Sequence, residues 1–132
     1  MAYHDYYMRQ IEDMGRMLGE ILFMKVQAPI PDFDEQGNLL ESGLLYRRLC
    51  TMLEARDVNG AENLLFEMLE RYPEYDFLRV ALQFYTDLEK WTDAELKEAD
   101  FSRQEILEGM REIQKYIDAR QNVRSDALRG DG

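Results

Sequence analysis

The sequence predicts an all-α fold of five or six helices, a long N-terminal helix followed by helical hairpins, on three observations. Apolar residues recur at steps of three and four along most of the chain, which gathers them on one face of a helix. No run alternates apolar and polar residues for long enough to make a strand. Helix-start chemistry recurs at Asn59 with Glu62, Thr92 with Glu95 and Ser102 with Glu105, each a polar N-cap followed three residues on by a carboxylate able to reach back. With 132 residues the chain supports a single domain, 1–132.

The first helix is expected over Asp5–Val26. Tyr7, Ile11, Met14, Leu18 and Ile21 alternate by four and three, and Tyr6, Met8, Met17, Leu22, Phe23 and Met24 widen the stripe beyond one seam. So broad an apolar arc calls for partners on two faces. Gly15 and Gly19 each cost about 1 kcal/mol relative to Ala inside a helix, so a compensation is expected, such as close approach of another backbone. Arg16 and Glu20 exclude the membrane version of that spacing.

Pro29, Pro31 and Gly37 interrupt the pattern and predict an extended strap over 27–38. Periodicity resumes near Leu39 or Glu41 with Leu45, Leu49, Met52 and Leu53. Arg56–Gly60 reads as a tight turn, and a third helix runs from Gly60 or Ala61 to Tyr72 with Ala61, Leu64, Leu65 and Met68 on one face. Pro73 stops it and can also open the next. That fourth helix, over 74–89, has apolar residues almost all round (Phe77, Leu78, Ala81, Leu82, Phe84, Tyr85 and Leu88), which places it at the centre of the fold. The Thr92 box opens a short helical turn holding Leu96. The Ser102 box opens a final helix with Ile106, Met110, Ile113 and Ile117, and Phe101 is placed to staple onto Ile106. Periodicity fades after Arg120, which predicts a frayed tail over 122–132.

Composition narrows function further. At 45% hydrophobic and 33% charged, the chain is too apolar for disorder and too charged for a membrane span. The net charge of −11 argues against nucleic acid, whose binding depends on clustered Lys and Arg releasing counterions. One cysteine, Cys50, excludes an internal disulfide, and MAYHDYYMRQ lacks the basic and then apolar pattern of a secretory signal, so a cytoplasmic protein is expected. One histidine, His4, near a terminus removes the usual Ser–His and Cys–His dyads and the paired Glu-x-x-His motifs of di-iron bundles. No enzyme, cofactor or catalytic residue is expected.

Leu45–Pro73 resembles one tetratricopeptide repeat: Pro73 falls on the terminal proline, Ala61 on the small residue at the helix crossing, and Leu65 and Leu45 on large apolar positions. Leu49 departs from the pattern, replacing the small residue of the first helix. An ordinary helical hairpin with a proline stop explains the stretch equally well. The opening Asp5-Tyr6-Tyr7-Met8-Arg9, with Ile11-Glu12, Gly15-Arg16 and Ile21-Leu22-Phe23, resembles the N-terminus of a family of short, uncharacterised bacterial helical proteins. That resemblance extends through the hairpin and the final helix. It implies a bacterial cytosolic protein and transfers no catalytic residue.

Three local patterns invite a sharper reading. Asp32 and Asp34 with Gly37 mimic a calcium loop, but Gly43 stands where a bidentate Glu is required, and Pro29 and Pro31 preclude an entering helix. A solvated acidic turn and no metal is the expectation. Cys50, beside Leu49 on a helix, reads as a buried structural thiol, although Arg47 and Arg48 would lower its pKa if it were exposed. Arg129-Gly130-Asp131 spells an adhesion tripeptide by chance.

Residues 101–132 carry six basic and six acidic groups, so the whole net charge lies in the first hundred residues. Asp87–Asp100 holds Asp87, Glu89, Asp93, Glu95, Glu98 and Asp100 against Lys90 and Lys97, and reads first as a solvated face supporting helix N-termini.

The expected function is a non-enzymatic helical interaction or scaffold protein that self-associates, as a dimer, through Tyr7, Met8, Ile11, Met14, Gly15, Met17, Leu18, Gly19 and Leu22. The alternatives are an adaptor that binds a basic protein through the acidic segment 87–100 and, last, a carboxylate metal site or enzyme. A protein partner fits either of the first two; nucleic acid and membrane do not.

Overall fold

A computed structural model describes residues 2–25 and 41–129 of the chain, with side chains over 5–22 and 41–121. The described residues form six helices and no strand: α1 (Ala2–Lys25), α2 (Glu41–Glu54), α3 (Val58–Arg71), α4 (Tyr75–Glu89), α5 (Asp93–Glu98) and α6 (Arg103–Arg129). The strap over 27–38, with Asp32 and Asp34, lies outside the described residues.

The breadth of the α4 stripe has the predicted consequence. Phe77, Leu78, Val80, Ala81, Leu82, Phe84, Tyr85 and Leu88 are all buried, because α2 and α3 pack on one side of α4 and α1 and α6 on the other. Two three-helix sets therefore share α4, and α1 also packs along α6. Arg79 is buried with them, its Nη1 3.4 Å from Asp76.

Local chemistry sets the turns. α2 ends in a Schellman motif: the Arg56 amide donates to Leu53 O and the Asp57 amide to Met52 O, both at 2.9 Å, with Arg56 in the left-handed region at φ 63°. Asp57 then caps α3, accepting from the Gly60 amide at 3.1 Å. α5 ends the same way. Asp100 sits at φ 55°, its amide donates to Lys97 O and that of Phe101 to Leu96 O, and the Leu96 and Phe101 side chains are buried.

The capping boxes at Thr92–Glu95 and Ser102–Glu105 form reciprocally, as their spacing predicts. The one at Asn59–Glu62 does not. α3 begins two residues earlier than expected, on Asp57, which frees Asn59 to donate to Asp100 O at 3.1 Å and leaves Glu62 for another partner.

Two arginines of α6 fix it antiparallel to α4. Arg103 donates to Glu89 O and Trp91 O, at 2.8 and 2.6 Å, at the end of α4. Arg120 donates to Pro73 O at 2.7 Å just before its start, with the guanidinium 4.5 Å from the Tyr75 ring centroid. Pro73 lies between helices rather than inside α4. α6 continues past Arg120 to Arg129, so most of the stretch expected to fray is helical.

Candidate functional site

Where α3 and α6 straddle α4 they leave a groove of about 370 Å³. One wall carries Glu62 and Phe66, four apart on α3; the other carries Glu105, Glu108, Gly109 and Glu112, a stripe at helical spacing on α6. Behind Glu62 and Gly109 lies Tyr85 of α4, fully buried, whose hydroxyl donates to Glu62 Oε2 at 2.6 Å. A Cβ at Gly109 would overlap the Tyr85 ring and hydroxyl, so the close passage of α6 over that ring requires glycine.

The groove concentrates negative charge. Burial pushes the Glu62 carboxyl above its ordinary range, and the charges of Glu105 and Glu108 push it further, against the opposing Tyr85 hydrogen bond. The Tyr85 phenol is raised far out of the physiological range by burial and then by the Glu62 charge. Partners of the other glutamates come from α6 itself or its cap: Gln104 bonds Glu108, Lys115 lies 2.8 Å from Glu112, and Glu105 serves the Ser102 cap. A shallower depression of about 760 Å³, bordered by Asn59, Leu96, Lys97, Asp100 and Gln104, shares Glu105 and Glu108 and continues the groove towards α5.

The segment 87–100 is committed to structure. Asp87 accepts from Tyr46 and Gln83, both at 2.8 Å; Asp93 lies 3.1 Å from Arg103; Glu95 completes a capping box, which lowers its pKa, and meets Arg56 at 3.1 Å. Arg56 also lies over the Trp91 ring at 4.3 Å. Glu89 is half-buried and its carboxyl is raised, chiefly by that burial. Glu98 and Asp100 remain exposed.

The residues expected to mediate self-association divide. Ile11, Leu18 and Leu22 are fully buried in the chain's own core against α4 and α6, which removes them from any surface. Tyr7, Met14 and Met17 are half-buried against that core, and Met8, Gly15 and Gly19 are half-buried as well. Gly15 faces Met110, 3.7 Å from where a Cβ would stand, and Gly19 faces Leu82 at 4.0 Å, so these glycines turn inward and, among the described residues, no backbone approaches them closely. Among the described side chains of α1, Tyr6, 54% exposed, is the large apolar one left outside.

Cys50 is half-buried, and its thiol is raised by burial and by Asp87 and Glu54, against a hydrogen bond with Tyr46. The neighbouring arginines do not activate it. Among the described residues no group of three or more His, Cys, Asp and Glu is arranged to hold a metal ion. No helix among them is long and apolar enough to cross a membrane.

The groove was missed in the sequence because charge was counted along the chain. Arg103, Arg111 and Lys115 balance the glutamates of α6 in number, whereas the spacing Glu105, Glu108, Glu112 places the acids on one face. That spacing was the available signal. The pairing with Glu62 across α4 left none.

The chain belongs to a family of unknown function, DUF6483, whose model matches residues 1–118 and so takes in α1 to α5 and most of α6. Neither the curated proteins nor the solved structures include a match to it.

Proposed function

We propose that this chain is a non-enzymatic interaction protein that takes a basic segment of a partner protein into the α3–α6 groove. The carrying observation is the groove itself: Glu62, Glu105, Glu108 and Glu112 converge beside Phe66, and among the described residues no Lys or Arg lines it. Burial raises the Glu62 pKa, and the facing charges of Glu105 and Glu108 raise it further, a repulsion that an incoming cation relieves. Phe66 offers an apolar contact for the stem of a Lys or Arg. The reading shifts the acidic surface from segment 87–100, where capping and ion pairs engage the carboxylates, to the facing helices. It carries with it a cytosolic, bacterial setting, supported by the family resemblance and the single cysteine, and it agrees with the tetratricopeptide-like pattern of Leu45–Pro73.

The test is binding of a Lys- and Leu-containing peptide, followed by anisotropy at low and high salt. Half-exposed ion pairs contribute about 0.2–1 kcal/mol each, so weak, salt-sensitive binding is expected. Reversing two charges with Glu108→Lys and Glu112→Lys should weaken it by about tenfold. Absence of binding, or binding indifferent to both salt and these substitutions, rejects the groove.

Self-association through α1 is the second reading, favoured by Tyr6, which stands outward beside Tyr7 with ring centroids 5.4 Å apart. The surface it offers is narrower than the nine-residue stripe read from the sequence, since the core takes Ile11, Leu18 and Leu22.

A further inference from the structure

Glu62 differs from the other acids of the groove in its attachments. It comes from α3 while the others come from α6, it is half-buried, and it bonds a fully buried phenol rather than a cap or an exposed side chain. Tyr85 is fixed beneath it by the Phe84 ring, edge-on at 5.0 Å, and by the α6 backbone at Gly109. The charged and titratable groups facing Glu62 are Tyr85 from α4 and Glu105 and Glu108 from α6, with Glu112 further along that helix; α2 adds no group to the groove among the described residues.

We propose that Glu62 is a proton-operated switch of this groove: uptake of a proton by its carboxyl, with Tyr85 still bonded to it, removes a charge from the groove wall and loosens the hold on a basic segment. The inference rests on the groove reading and adds its regulation. The bond survives the proton, because a neutral carboxyl keeps a carbonyl oxygen that accepts from the Tyr85 hydroxyl. Burial and the facing glutamates make Glu62 take that proton under milder acidity than an ordinary glutamate. Removing its charge also lessens the repulsion from Glu105 and Glu108.

The experiment titrates a rhodamine-labelled peptide of repeating Lys-Lys-Leu against the whole chain, from mildly alkaline to mildly acidic buffer at constant ionic strength. The wild type should lose affinity by about three- to fivefold, the loss of one partly exposed ion pair. Glu62→Gln should bind with the weaker affinity throughout and show no slope, while Glu98→Gln, outside the groove, should keep the wild-type profile. Carboxyl-carbon NMR of the peptide-free protein gives a second readout: the Glu62 midpoint should lie above the ordinary glutamate range, and Tyr85→Phe, which deletes the donor and keeps the ring, should raise it further. Peptide binding with the same slope in Glu62→Gln, or a Glu62 midpoint within the ordinary glutamate range, overturns the switch and leaves the groove standing. No peptide binding by the wild type overturns both.

Discussion

Gly109 is a missing side chain that the packing around it requires. Glycine in mid-helix costs about 1 kcal/mol against alanine, yet here a methyl would enter the space of a buried tyrosine ring and its hydroxyl. Gly109→Ala is therefore expected to destabilise the fold by about 1–3 kcal/mol despite its better helix propensity, and to break the Tyr85–Glu62 bond. Urea unfolding measures the first effect. Glu62 carries the opposite lesson. Its folded pKa is raised, so its contribution to stability is fully present below the ordinary glutamate value and is lost as pH rises through the folded one. Glu62→Gln keeps an acceptor for Tyr85 and removes the charge, so it should raise the melting temperature at neutral pH. That gain should shrink as acid protonates the wild type, and a gain constant with pH contradicts the assignment.

At the scale of the element, α1 shows how a helix can look under-partnered in sequence and be well covered in the fold. Gly15 and Gly19, four apart, suggested a backbone pressed against them, but Met110 and Leu82 reach them with flexible side chains at ordinary contact distance. Alanine fits both places. Gly15→Ala and Gly19→Ala should each stabilise the protein by up to about 1 kcal/mol, read as a shift in the denaturant midpoint at unchanged m. A loss of stability would mean that a closer contact exists there. The helix starts sort in the same way. Thr92 with Glu95 and Ser102 with Glu105 were legible because both bonds of a capping box close within four residues. Asn59 with Glu62 has the same spacing, but Asp57 reached the cap first because the Schellman turn at Arg56 delivers it to the head of α3.

Over the whole molecule, the sharing of α4 between two helix sets decides which faces stay wet. The apolar stripe of α1 finds α4 and α6 within its own chain, and Arg103 and Arg120 hold α6 at the two ends of α4 so that this cover is in place. A monomer of 15.7 kDa is accordingly expected from light scattering at high concentration. A doubled mass that Tyr6→Lys returns to the monomer would transfer the functional reading to self-association through the outer side of α1.

From the sequence alone came the helices, a count of five or six, most of their boundaries, the central place of α4 and two of the three proposed caps, all of which rest on periodicity and contacts within a few helical turns. The fate of each face was settled only by packing. The glutamates of α6 meet Glu62 because α3 and α6 flank the same stretch of α4 at Tyr85, and Ile11, Leu18 and Leu22 of α1 are covered because α4 and α6 pack along that helix. Helical periodicity says which side chains share a face. What that face meets depends on contacts between residues far apart in the chain, and no local spacing records them.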